Sequence, residues 1–257
     1  GSFVFGEHLI MNYVESLEYL DSLGKFGIQL GMERIEGLLR ELGNPEQQIK
    51  TVHVTGTNGK GSVSSMITNI ILAAGLKVGK FTSPHLVKYN ERIELNGKDI
   101  SDEDFATAIT AVKVAADKIK KKGVCEQPTQ FEILTAAAFL YFHLQKVDYA
   151  VIEVGLGGLW DSTNVITPVV SVITNVSLDH TDRCGATVAR NKMKKAGIIK
   201  EKVPVVTAAE GEEALGYLSQ GYRRRRLCHD YGFPGKHQPL LDPERSKATH
   251  DCQQRAS

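Results

Sequence analysis

The amino-acid sequence predicts an α/β fold in which a mostly parallel, doubly wound sheet carries a phosphate-binding loop after its first strand. Near-continuous runs of apolar and β-branched residues at 51–55, 148–154 and 169–174 are typical of parallel strands buried on both faces. Stretches with helical spacing of apolar residues separate most of these runs. A glycine-rich loop directly follows the first run, where a doubly wound sheet places its nucleotide-binding turn.

Two helices are predicted before the first strand. Apolar residues recur at helical intervals over 13–20 and again over 32–42, and a Gly-Asn-Pro sequence ends the second helix. After the glycine-rich loop, residues 63–74 have the pattern of a helix and residues 77–81 that of a short strand. This order predicts a parallel strand–helix–strand unit.

The later elements extend the same alternation. Ser101 and Asp104 form an approximate capping pattern for a helix that runs to about residue 121. Residues 132–144 are rich in Ala, Leu and Phe, which predicts a buried helix. A further strand is expected at residues 203–206.

The composition indicates one packed domain. The chain has 257 residues, 42% of them hydrophobic, and a formal net charge of +1, which argues neither for nor against a polyanionic partner. Its four cysteines are far apart without a C-x-x-C pair, so neither a disulfide framework nor a thiolate zinc site is expected, and a cytoplasmic location fits. No apolar run approaches the roughly 20 residues that span a bilayer, so no membrane partner is expected.

The two ends of the chain are expected to differ from the centre. We interpret residues 1–10 as a vector-derived extension ahead of Met11, residues 11–220 as an ATP-binding domain, and residues 221–257 as an irregular basic tail. The tail contains four consecutive arginines, but it lacks interleaved aromatic residues and helical or strand periodicity. We therefore expect a solvated end rather than a nucleic-acid-binding segment, and the sequence predicts no oligomeric state.

The glycine-rich loop has the residue types of a phosphate-binding P-loop. Its glycines let the backbone close around anionic oxygens, its lysine reaches terminal phosphates, and its serine hydroxyl suits Mg²⁺. The spacing is a variant of the common G-x-x-x-x-G-K-S/T form, and the alternative is a glycine-rich turn with an incidental lysine. The nucleotide-binding candidates are Gly56, Thr57, Asn58, Gly59, Lys60, Gly61 and Ser62.

Further candidates follow the other strands, because open α/β sheets bind ligands at the carboxyl ends of their strands. Glu153 ends a buried strand, and we expect it to hold Mg²⁺ rather than form a structural salt bridge. Ser83 is a second possible cation ligand, whereas the spacing of His180 alone leaves a ligand role and a structural role open. Lys195 either contacts phosphate or, as a carbamate, ligates a cation.

Taken together, the motifs resemble the folylpolyglutamate synthase and dihydrofolate synthase family, a branch of the Mur ligase superfamily whose central domain is a P-loop α/β fold. The resemblance runs from about Met11 to about Leu215. The stretches that carry it are residues 30–35, the loop at 56–62, and residues 82–86, 91–93, 131–132, 153–158, 161–164, 178–180 and 195–198.

This resemblance implies an ATP- and Mg²⁺-dependent ligase that adds L-glutamate to a folate or dihydropteroate carboxylate through an acyl phosphate. It implies that Ser62 and Glu153 hold the cation, and that His180 and Ser83 belong to the metal or substrate site. It also implies catalytic roles for Lys60, His180 and a carbamylated Lys195. The side of the site that faces the pterin is then formed by Thr82, Ser83, Pro84, His85 and Phe131.

Two functions remain possible at this point. The family has a second, Rossmann-like C-terminal domain, and nothing after Gln220 resembles it. The first hypothesis is therefore a ligase whose activity in this chain alone is impaired. The second is an ATP-binding module without ligase activity, since closure of two domains is expected to exclude water and orient the attacking amine.

Overall fold

The computed structural model describes residues 10–24, 31–123, 127–175 and 195–209, together with the backbone of 227–229. The strands in these ranges are β1 (Thr51–Thr55), β2 (Val78–Phe81), β3 (Ile93–Leu95), β4 (Lys98–Asp99), β5 (Tyr149–Glu153), β6 (Val170–Ile173), β7 (Val205–Thr207) and β8 (Leu227–His229). The α-helices are α1 (Tyr13–Leu23), α2 (Glu33–Glu41), α3 (Lys60–Ala73), α4 (Asp102–Lys121) and α5 (Gln130–Leu144). Short 3₁₀ turns lie at Pro45–Gln48, Tyr89–Arg92 and Ser162–Val165.

The strands form one sheet in the order β4-β3-β2-β5-β1-β6-β7-β8. The run from β2 through β5, β1, β6 and β7 to β8 is parallel, whereas β3 and β4 add an antiparallel edge. The predicted doubly wound, mostly parallel α/β sheet is confirmed. Its centre is β1, the strand that leads into the glycine-rich loop.

Helices cover both faces of the sheet, and successive strand residues point alternately to one layer and the other. Val52 and Val54 of β1 and Val151 of β5 pack in one cluster with apolar residues of α3. Ala150 and Ile152 of β5 belong to the larger cluster built from α1, α2, α4 and α5. None of the helices in the described ranges is long and apolar enough to cross a membrane.

Local capping explains where several helices begin. The Ser101 hydroxyl accepts a hydrogen bond from the Asp104 N–H at 3.0 Å, which confirms the predicted start of α4. Thr129 and Glu132 form a reciprocal capping box at the start of α5. Helix α3 begins at Lys60, three residues before the predicted start, because Gly59 is left-handed (φ 79°) and turns the chain into the helix earlier.

Two features of the sheet were not predicted, the β3–β4 hairpin and β8. The β3–β4 hairpin turns at Asn96 and Gly97, which both have positive φ, at 52° and 76°. Its strands of three and two residues are too short to show an alternating pattern. The segment expected to be irregular from residue 221 onward contains β8, which pairs with β7 in parallel through its backbone.

Substitution of Gly79 tests the packing between β2 and α5. A Cβ at this position would lie 2.5 Å from Cδ1 of the fully buried Phe142 ring, so Gly79→Ala is expected to lower the free energy of unfolding by about 1–3 kcal/mol. Gly24→Ala is the matched control, because its Cβ would meet nothing within 4 Å and the backbone is helical (φ −56°). Urea unfolding measures both; equal stability of the two variants would contradict the packing.

Candidate functional site

The glycine-rich loop presents free backbone donors at the start of α3. The first hydrogen bond of this helix runs from the Val63 N–H to the Gly59 carbonyl at 2.9 Å. The N–H groups of Gly59, Lys60, Gly61 and Ser62 therefore have no acceptor in the described part of the chain. They lie at the positive end of the helix dipole, on residues that are largely solvent-exposed. This arrangement suits an anion.

The side chain of Lys60 lies between the loop and β5. Its Nζ is 3.5 Å from the Gly56 carbonyl oxygen and 4.0 Å from Glu153 Oε1. The first contact is to a neutral carbonyl oxygen, and the second is too long for a tight ion pair. The Lys60 side chain is 22% exposed. The ammonium group is thus held near the free N–H groups and can still contact a bound anion.

Glu153 is a buried acidic residue at this edge of the sheet. The residue is 3% exposed, and its Oε2 atom has no hydrogen-bond partner among the described residues. Burial raises the pKa of Glu153 to about 7, although the Lys60 and Lys80 charges oppose the shift. A Cβ on Gly61 would lie 3.7 Å from this oxygen. A buried carboxylate oxygen with spare capacity beside a phosphate loop fits a divalent cation.

The rest of a cation site is only partly defined. Ser62 is exposed in the first turn of α3, and Ser83 follows β2, the strand next to β5. The described residues contain no cluster of three or more His, Cys, Asp or Glu that could hold a metal by themselves. His180 lies outside the described residues. The metal roles expected for Ser62, Ser83, Glu153 and His180 therefore stay predictions.

The opposite side of the loop is fixed to the end of β6. The Thr57 N–H donates to the Asn175 carbonyl at 3.0 Å, and the Asn58 N–H donates to Asn175 Oδ1 at 2.9 Å. The Thr174 hydroxyl donates to the Asn58 carbonyl at 2.6 Å. A Cβ on Gly56 would lie 1.9 Å from the Thr174 hydroxyl oxygen, so only glycine fits there. Two of the backbone donors expected to face phosphate are thus already used.

Lys195 reaches the same loop from the segment before β7. Its Nζ donates a hydrogen bond to the Thr57 hydroxyl oxygen. The expected phosphate contact of the unmodified side chain stays a prediction. Its catalytic role and its carbamylation stay predictions.

The loop after β2 is held by two neighbouring side chains. The Glu91 carboxylate accepts hydrogen bonds from three successive N–H groups, those of Leu86, Val87 and Lys88, at 2.7–2.9 Å. Arg92 Nε donates to His85 Nδ1 at 2.8 Å. Burial and the Arg92 charge lower the pKa of His85, which favours the neutral ring, although the Glu91 charge opposes the shift. The expected substrate contacts of Thr82, Ser83, Pro84 and His85 stay predictions.

Phe131 supports the loop after β5. A Cβ on Gly155 would lie 2.5 Å from the tip of the Phe131 ring, and the ring also packs against Phe81 at a centroid distance of 5.9 Å. Phe131 therefore has a packing role that the sequence did not predict. The side chain is only partly buried, and its expected contact with substrate stays a prediction.

A buried hydrogen-bond chain lies beneath the same loop. The Thr163 hydroxyl donates to Asp161 Oδ1 at 2.5 Å, so its oxygen accepts from His53 Nε2 at 2.9 Å. Asp161 Oδ2 accepts from the Leu156 N–H at 2.8 Å. Burial, with a smaller effect of the Lys200 charge, lowers the pKa of His53 to about 3. These hydrogen bonds therefore connect the buried His53 of β1 to the loop after Glu153, and the histidine that takes part in them is neutral.

The local sequence pattern predicts no role for His53, Thr174 or Asn175. His53 lies inside a strand, where an isolated histidine gives no signal of its partner. Asn175 follows the end of β6, and the rule that identified Glu153 from its position at a strand end applies to it equally.

Comparison with known proteins agrees with this geometry. The model of the Mur ligase middle domain matches residues 54–209, which include the loop, Glu153 and Lys195. The chain belongs to this family. It is similar to the folylpolyglutamate synthase of Lacticaseibacillus casei, with 46% identity over 229 residues, 87% of this chain and 54% of that protein. It is also similar to the dihydrofolate synthase/folylpolyglutamate synthase of Bacillus subtilis, with 44% identity over 204 residues, 79% of this chain and 47% of that protein.

Solved structures show the same relationship in three dimensions. A structure described as an FPGS–AMPPCP–folate complex has a TM-score of 0.77 and 41% identity, and the match covers 85% of this chain and 54% of that one. The chain thus spans about half the length of the relatives that it matches. The expected resemblance to the folylpolyglutamate synthase and dihydrofolate synthase family is confirmed.

Titration of His53 is expected to weaken the fold in acid. The unfolded chain takes up this proton near pH 6.5 and the folded chain only near pH 3, so stability falls as the pH decreases through that window. Relative to His53→Gln, the wild type should lose about 1.4 kcal/mol of unfolding free energy per pH unit. Urea unfolding at pH 7, 6, 5 and 4 measures this; a constant difference between the two proteins would contradict it.

Glu153 is expected to destabilise the ligand-free fold at high pH. Its pKa rises from 4.5 to about 7 on folding, so the folded chain keeps a proton that the unfolded chain has lost, and stability falls as the pH rises through this window. Glu153→Gln should therefore be more stable than the wild type by about 1–3 kcal/mol at pH 8, with the difference disappearing near pH 4.5. Urea unfolding measures the free energy of unfolding of both proteins, with Glu103→Gln at an exposed position as the control. A Glu153→Gln protein that is less stable than the wild type at pH 8 would contradict this prediction.

Proposed function

We propose that the chain is the ATP-binding part of a ligase that joins L-glutamate to a folate or dihydropteroate carboxylate. One observation carries the proposal: the N–H groups of residues 59–62, which have no acceptor among the described residues, lie with the Lys60 ammonium close to Glu153, whose Oε2 atom has no hydrogen-bond partner there. Family membership and the similarity to folylpolyglutamate synthases supply the reaction class.

The reaction has two steps in this proposal. A substrate carboxylate oxygen attacks the γ-phosphorus of ATP, which forms an acyl phosphate and releases ADP. The glutamate amine then attacks the acyl carbon, forms the amide and displaces phosphate. Negative charge accumulates on the phosphoryl oxygens in the first step, where the N–H groups at the start of α3 and the Lys60 ammonium stabilise it.

Magnesium is the proposed cofactor. The residues that would hold it are Glu153 and Ser62, with Ser83 and His180 as the further candidates. When bound, Mg²⁺ neutralises charge on the β- and γ-phosphates and favours one orientation of the phosphate chain. The buried Glu153 Oε2 atom, which has no hydrogen-bond partner in the part of the chain that the structure describes, supports this assignment, because a divalent cation would offset the cost of its desolvation.

The substrate side is proposed on the loop after β2 and on Phe131. This loop and Phe131 adjoin the carboxyl ends of β2 and β5, next to the phosphate loop. Glu91 and Arg92 hold the loop in one conformation, which reduces the entropy that a substrate must remove on binding. A cytoplasmic location is part of the proposal and rests on the cysteine pattern.

Nucleotide binding is the first test. The wild-type chain should bind ATP with Mg²⁺ in a calorimetric titration, and Lys60→Ala should weaken the affinity about 10- to 100-fold because a charge-assisted contact to phosphate is lost. Lys113→Ala, at an exposed lysine of α4 paired with Asp117, is the matched control and should bind like the wild type. Saturable binding that Lys60→Ala leaves unchanged would overturn the nucleotide assignment.

Turnover distinguishes the ligase from an ATP-binding module. Phosphate release is measured with ATP, Mg²⁺ and a reduced folate or dihydropteroate, with and without glutamate. Glutamate-dependent release supports the ligase. Nucleotide binding without release supports the module.

A further inference from the structure

The phosphate loop has a second anchor whose chemistry extends to a bound ligand. Thr57 and Asn58 are tied to Asn175, whose backbone carbonyl and side-chain Oδ1 accept hydrogen bonds of 3.0 and 2.9 Å. Both bonds use the donors at the tip of the loop, whereas those of residues 59–62 have no acceptor within the described ranges. Asn175 thus occupies the N–H groups of Thr57 and Asn58.

The hydrogen bond from Asn58 also fixes the orientation of the Asn175 amide. A backbone N–H can only donate, so the side-chain atom facing it must be Oδ1 and not Nδ2. The two N–H bonds on Nδ2 then have no acceptor in the described part of the chain, and the residue is only half-buried. They are neutral donors next to the loop that is proposed to bind a phosphate chain.

Thr174 makes this arrangement rigid. Its hydroxyl donates to the Asn58 carbonyl at 2.6 Å, and it occupies the space where any side chain on Gly56 would lie. The loop, Thr174 and Asn175 therefore form one hydrogen-bonded unit at the ends of β1 and β6, which are directly paired.

We propose that Asn175 is a binding and positioning residue of the phosphate site. Its carbonyl oxygens hold the tip of the loop, and its amide N–H groups donate to a phosphate oxygen of the nucleotide. This inference rests on the proposed function of the loop. It assigns to a neutral side chain that follows the end of β6 a share of the contacts that the sequence pattern attributes to the glycine-rich loop alone.

Two substitutions separate the two roles. Asn175→Asp keeps an oxygen that accepts from Asn58 but replaces the donors with negative charge, whereas Asn175→Leu removes both the acceptor and the donors. The controls are Asn69→Asp and Asn69→Leu, at an exposed asparagine of α3 whose amide donates to the Ser65 carbonyl at 2.8 Å. Affinities for ATP and for inorganic tripolyphosphate, each with Mg²⁺, are measured by calorimetry. Hydrogen exchange of the Thr57 and Asn58 amides is followed by NMR without ligand.

Asn175→Asp should retain slow exchange at Asn58 and bind both ligands at least about tenfold more weakly. Asn175→Leu should speed exchange at Asn58 about tenfold and weaken both affinities, while the Asn69 variants match the wild type. Unchanged affinity in either Asn175 variant, or unchanged Asn58 exchange in Asn175→Leu, overturns the inference. A wild type that binds neither ligand contradicts the proposed function and the donor role together, and the exchange experiment still decides the loop-holding role.

Discussion

The register between β1 and its two neighbours is the constraint on which the site depends. Val54 lies opposite Glu153 of β5 and Val172 of β6, so the three strands end at nearly the same level. The glycine-rich loop, the Glu153 carboxylate and Asn175 consequently meet at one edge of the sheet. A shift of one residue would turn Glu153 into the layer packed by α5 and direct Ile152 toward α3.

The site contains buried polar atoms whose desolvation lowers the stability of the fold, and the packing of the other residues offsets this cost. In the described ranges, Glu153 Oε2 and His53 Nδ1 are buried without partners. Both lie on strands of the sheet centre, between layers of packed apolar side chains. A buried group of this kind costs stability unless a ligand or hydrogen bond compensates it. Such costs concentrate at functional sites, and the location of Glu153 beside four free N–H groups agrees with that rule.

Much of the fold followed from the sequence because its central elements are long and periodic. The apolar runs of β1, β5 and β6 predicted buried parallel strands, and the loop after β1 predicted the start of a helix. The β3–β4 hairpin was not predicted, because its five strand residues are too few to show an alternation of apolar and polar side chains. Glu153 and Lys60 lie 4.0 Å apart because both adjoin the ends of paired strands. The hydrogen bonds that join His53, Thr163 and Asp161 were not predicted. His53 and Thr163 are 110 positions apart, and contacts over such distances are not encoded in local spacing.

The structure shows that the backbone N–H groups of the glycine-rich loop differ in their partners. From the sequence, all seven residues of the loop were candidates for phosphate contact, yet the backbone N–H groups of Thr57 and Asn58 bind Asn175. The most direct test of the account is a crystal structure of this chain with a non-hydrolysable ATP analogue and Mg²⁺. The account predicts β- and γ-phosphate oxygens within hydrogen-bonding distance of the N–H groups of residues 59–62, with the cation against the Glu153 carboxylate. A nucleotide bound elsewhere, or a cation that does not contact Glu153, would contradict it.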